Sequence, residues 1–110
     1  MDMSYLKNAV RALSNVELKN ANKVHEPFHN PHEGYAVLKE EIEEADEARH
    51  LAEEPWNKLW LFIKKDMPAE VLRLQIDEME NNLVSQAAET IQAIAMCRKF
   101  KDMLEVKKYD

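Results

Sequence analysis

Glycine, proline and cysteine are all scarce in this chain: one Gly, four Pro and one Cys in 110 residues. Tight hairpins, β-sandwich turns and glycine-rich phosphate loops place residues at left-handed backbone angles, which a single glycine cannot supply. All-β, Rossmann and P-loop architectures are nearly excluded. The lone Cys97 can form neither an intramolecular disulfide nor a multi-cysteine metal site, and its apolar neighbours read as packing around a reduced thiol. A cytoplasmic location is the expectation. No stretch approaches the ~20 apolar residues that span a bilayer, and the N-terminus lacks the apolar core of an export signal. Positive charge is short as well: 15 Lys and Arg against 21 Asp and Glu give a net charge of -6. Without a basic stripe to neutralise successive phosphates, nucleic acid is not an expected partner, and neither is a membrane.

What is present is a globular composition, 45% hydrophobic and 33% charged, in a length that suits one domain over residues 1–110. Leu6, Val10, Leu13, Val16 and Leu18 recur at roughly helical spacing, predicting an amphipathic helix over 3–24 with a break near Ser14 and Asn15. Residues 25–35 hold two prolines and the only glycine, and read as an ordered loop that shelters Phe28 and Tyr35. Asn30, Pro31 and Glu33 form a helix-start signal of cap, first-turn proline and back-reaching carboxylate, so a long helix should begin at Pro31. Leu38, Ile42, Ala45 and Ala52 share a narrow arc of that helix, which should end near Glu53 ahead of Pro55. Trp56, Leu59, Trp60, Phe62 and Ile63 then crowd a short segment, either a packed helix or an oligomer contact. Asp66 is a candidate cap for a final helix from Pro68 to about Lys107. At about 58 Å this helix is long for a small domain, so a bend at Asn81 and Asn82 is expected. The fold class is all-α: a bundle of about four helices, with a long acidic second helix packed on a long C-terminal one.

Glu40, Glu41, Glu43, Glu44, Asp46 and Glu47 fall within eight residues of the second helix. Like charges at helical spacing repel, and only Lys39 and Arg49 bracket the run. Such runs are ordinarily solvated faces. The final helix offers a reason to read more into this one: Asn82, Ser85, Glu89 and Gln92 make a polar stripe through otherwise apolar sequence. Carboxylates facing that stripe need a partner, and hard oxygens from two helices suit Mg²⁺ or Mn²⁺. His25, His29 and His32 have spacings that suggest zinc, but Pro27 and Pro31 break any helix that would align them. Their other roles are capping the loop or, for His29 and His32, meeting a phosphate at the helix start. Trp60, with Trp56 and Phe62, is a candidate to stack a base, although aromatics at this spacing more often pack.

At these residues the chain resembles the all-α nucleoside triphosphate pyrophosphohydrolase superfamily, the MazG-like and dimeric dUTPase-like enzymes, especially small phage-type members. That family's pattern is a Glu-Glu-x-x-Glu helix followed by a later Glu-x-x-Asp helix. Glu40-Glu41-Ile42-Glu43-Glu44 matches the first half, and Glu89-Thr90-Ile91-Gln92 is the nearest match to the second, with Gln in place of Asp. The likeness covers residues 32–41 and 89–100. It implies a helical homodimer or homotetramer that cleaves a nucleoside triphosphate to its monophosphate and pyrophosphate. By carry-over, Glu41, Glu44, Glu89 and Gln92 would hold Mg²⁺, with Glu40 a further ligand or the group orienting water; the candidates for substrate contact, His29, His32, Ser85 and Trp60, rest on their positions in this sequence. Gln92 offers one neutral oxygen where Asp offers a charge, which lowers the expected metal affinity. The gap between half-motifs also exceeds the family's usual length. A non-catalytic oligomeric accessory protein of phage or prophage is therefore the second expectation.

Overall fold

The computed structural model describes residues 2–108. Among them the regular structure is entirely helical: α1 (Ser4–Val24), α2 (Pro31–Leu51), α3 (Glu53–Lys64) and α4 (Ala69–Lys108). None is long and apolar enough to cross a membrane. Two compact units form, one from residues 2–42 with 90–108 and one from Glu43–Glu89. The long helices α2 and α4 each contribute to both.

In the first unit α1 runs unbroken through Ser14 and Asn15, where a break was expected. Ser14 is wholly buried, and its hydroxyl donates to the Val10 carbonyl one turn back at 2.8 Å, so the polar group is satisfied within the helix. Arg98 of α4 donates to the Asn15 side-chain oxygen and ties the two helices together. The start of α2 follows the sequence signal: Asn30 Oδ1 accepts from the Glu33 N–H at 2.9 Å. Glu33 reaches back one residue further than a capping box requires, accepting from the His29 N–H at 3.3 Å and meeting His29 Nδ1 at 2.9 Å.

The expected loop over 25–35 is shorter in fact, because Gly34 and Tyr35 belong to α2. Phe28 is buried, whereas Tyr35 is exposed, contrary to expectation. Gly34 is needed for contact rather than for a turn: a Cβ there would lie 2.6 Å from Cδ2 of Phe100. Phe100 in turn meets Phe28 edge-to-face, with centroids 6.4 Å apart. On α4 the buried positions Ala95, Lys99 and Met103 recur every fourth residue, so a lysine occupies the middle of a core stripe. Cys97 lies off that stripe and is exposed, which corrects its reading as a packed thiol.

In the second unit α2 ends at Leu51, and Ala52 alone separates it from α3. Pro55 sits inside α3 as its third residue, where the missing N–H would have had no intrahelical acceptor. The end of α3 is a Schellman turn: Met67 N–H donates to the Phe62 carbonyl at 3.0 Å and Asp66 N–H to that of Ile63 at 3.1 Å. Asp66 holds φ at 54°, so it terminates α3 instead of capping α4. The turns of α4 continue regularly through Asn81 and Asn82. There the Asn82 amide donates to the Leu51 carbonyl at 2.9 Å, satisfying an acceptor that the end of α2 leaves open.

Candidate functional site

Glu44 on α2 faces Glu89 on α4 within the second unit, with a carboxylate oxygen of each inside 4.8 Å of the other. Along α2 itself, Glu41 precedes Glu44 by about one turn and belongs to the first unit. Glu41 and Glu89 are half-buried and Glu44 is exposed. Desolvation at its carboxyl pushes the Glu44 pKa above the ordinary 4.5, and the neighbouring charge of Glu89, a hydrogen bond shared with it, and Glu47 push it further. Oε2 of Glu89 is buried with no hydrogen-bond donor in reach among the described residues. A buried carboxylate oxygen without a donor, beside a second carboxylate it repels, is the donor set that a hard divalent cation fits.

Glu41 also lines a cavity of the first unit, a space of about 770 Å³ that His25, Glu26 and Phe28 of the loop before α2 border as well. Its walls include Val24, Phe28, Val37 and Met96, with Gln92 and Lys99 among the polar residues. Gln92 is exposed at that cavity wall. The volume falls in the range of small-ligand pockets.

The other expected site residues are more dispersed. Glu40 is exposed and does not line this cavity. His29 is exposed and held by Glu33 and, at 3.4 Å, by Glu26, so its ring is occupied in fastening the loop. The hydrogen bond to Glu33, then that residue's charge, raises His29 above its ordinary pKa of 6.5, while the same bond holds Glu33 below 4.5. His32 is exposed on the first turn of α2. Ser85 is exposed one turn before Glu89 on α4, and Trp60 is exposed in a shallow apolar cavity made by α3 residues. Lys99 is a buried residue that the sequence signals only by its place four residues from Ala95 and from Met103.

No protein-family model matches the chain, and searches of curated proteins and of solved structures returned no match.

Proposed function

We propose that this protein binds a divalent cation, Mg²⁺ or Mn²⁺, at Glu44 and Glu89. We further infer that it hydrolyses a nucleoside triphosphate to the monophosphate and pyrophosphate. The observation that carries the reading is the approach of Glu44 to Glu89: desolvation first, and then the charge of Glu89, raise the Glu44 pKa, and a bound cation would relieve both. When bound, such an ion supplies Lewis-acid stabilisation of phosphoryl charge and a more acidic water. The chain's own residues have separate parts. In this reading Glu40, exposed and one turn before Glu44 on α2, accepts the proton of the attacking water. That water's oxygen bonds to the α-phosphorus, the bond to the bridging oxygen breaks, and pyrophosphate leaves with the electron pair.

A homodimer or homotetramer belongs to the same reading. Trp56, Trp60 and Ile63 lie on one face of α3 and are 60%, 61% and 44% exposed, an apolar strip suited to a second copy. The alternative reading, a non-catalytic oligomeric module, draws on that strip and on the missing fourth carboxylate at Gln92.

The test is pyrophosphate release from a panel of nucleoside triphosphates with Mg²⁺ or Mn²⁺. Glu44→Gln is expected to lose at least about 100-fold in rate. It should also abolish the rise in melting temperature that saturating Mg²⁺ gives the parent protein. Unaltered turnover in Glu44→Gln would reject the site. Ion-linked stabilisation with no turnover of any triphosphate would leave the non-catalytic module.

A further inference from the structure

Lys99 is 6% exposed, and its ammonium lies 4.8 Å from the centre of the Phe28 ring. Among the described residues no carboxylate approaches its Nζ within 4.0 Å. Glu33, whose carboxyl feels the Lys99 charge, is already taken by His29 at 2.9 Å. The stem of Lys99 is thus buried in the core stripe, and its ammonium lies over an aromatic face with no carboxylate of the described residues paired to it. Methionine at this position would fill the same core stripe at lower cost. Lys99 also lines the 770 Å³ cavity of the first unit, where Val24, Phe28 and Met96 supply apolar wall. It is the only lysine or arginine among the residues that line this space.

We propose that Lys99 anchors a phosphate-type anion in this cavity, the anion arriving as its complex with a divalent cation. The second half of the statement comes from the remaining charges: Glu17, Glu26, Glu33 and Glu41 also line the space. One ammonium set against these carboxylates disfavours a bare dianion or a carboxylate ligand. A polyphosphate that brings its own divalent cation meets both signs of charge at once. Gln92 adds amide donors and an acceptor at the wall. The site deepens the nucleotide reading by naming the group that holds phosphate, and it rests on that reading for the choice of polyphosphate as probe.

The experiment is titration calorimetry of the full chain with Mg²⁺-pyrophosphate, with pyrophosphate alone and with citrate. The parent protein is expected to bind Mg²⁺-pyrophosphate and to discriminate against both other probes. Lys99→Met should weaken that binding at least about 10-fold, the loss of one charge-assisted hydrogen bond, while retaining its helical circular dichroism and Mg²⁺-linked stabilisation. Lys99→Arg should keep most of the affinity. Equal binding by Lys99→Met and the parent, or no binding by the parent at millimolar Mg²⁺-pyrophosphate, would overturn the proposal. Should Lys99→Met fail to fold, Lys99→Arg together with protection of the parent's Lys99 from acylation by bound pyrophosphate decides it, and absence of protection counts against it. Binding at Lys99 in a protein without turnover would sink the hydrolase reading and leave this site standing.

Discussion

His29 fastens the loop before α2 through two carboxylates, and the pair it forms with Glu33 has a defined pH window. The raised His29 pKa contributes stability that is full below 6.5 and disappears as pH rises through the folded value. The lowered Glu33 pKa contributes stability that is full above 4.5 and is lost as pH falls through its folded value. Replacing His29 with Gln should therefore lower the melting temperature most between these two values and hardly at all well above the His29 pKa. A difference between parent and variant that stays constant with pH would contradict the pairing. Gly34 makes a second residue-scale prediction. Alanine favours a helix interior by about 1 kcal/mol, but its Cβ at 2.6 Å from the Phe100 ring forces a shift that costs about 1–3 kcal/mol. Gly34→Ala should lower the urea midpoint, by a net of about 1 kcal/mol. At this scale the sequence is unevenly informative. The carboxylates were legible because they break the usual interleaving of charge. Lys99 was not, because a lysine next to Arg98 and two residues before Lys101 has the appearance of a solvated position until the phase of α4 is known. Cys97 is exposed for the same reason, since a run apolar on average still has one face outward.

Elements were more legible than the angles at their ends. Asn30, Pro31 and Glu33 marked the start of α2 because each has a local hydrogen-bonding consequence that requires no tertiary contact. The long C-terminal helix was legible from the absence of breakers. Failures occurred where a residue plays a part usually given to another type. Ser14 resembles a helix breaker yet satisfies itself by bonding one turn back, and Pro55 resembles a boundary yet fits inside the first turn of α3. Asp66 was read as a start and is a stop, since its left-handed φ suits the closing turn of α3. Glycine adopts that angle without the Cβ penalty, so Asp66→Gly should stabilise the protein by about 0.5–1 kcal/mol. Chemical denaturation checks it, and a destabilised variant would mean that the aspartate side chain has a role of its own.

At the scale of the whole molecule the shortage is of buried apolar side chains. In the Glu43–Glu89 unit only Ala48, Ala52 and Pro55 are buried among the described residues. Alanine and proline bury little area, so the side chains of α3 contribute little toward offsetting chain entropy within one copy. On the proposed homo-oligomer reading, light scattering should give about two or four times the 12.9 kDa of one chain. Trp56→Ser combined with Trp60→Ser should reduce that mass. A parent protein that runs as a single copy at micromolar concentration would contradict the assembly. The all-helical class was legible from composition, since a chain this poor in glycine has few alternatives. The pairing of Glu44 with Glu89 depends on the rotation of two helices about their axes, which the amphipathic pattern of α2, interrupted by outward Ile42, leaves weakly specified.

The exposed thiol at position 97 has a practical corollary for that assembly. Because each polypeptide carries one sulfhydryl, a maleimide-linked nitroxide or dye attaches at a single place per subunit. In a twofold complex the labels then form one pair, so pulsed dipolar spectroscopy would return a single inter-label spacing with no background cysteines to remove by mutation.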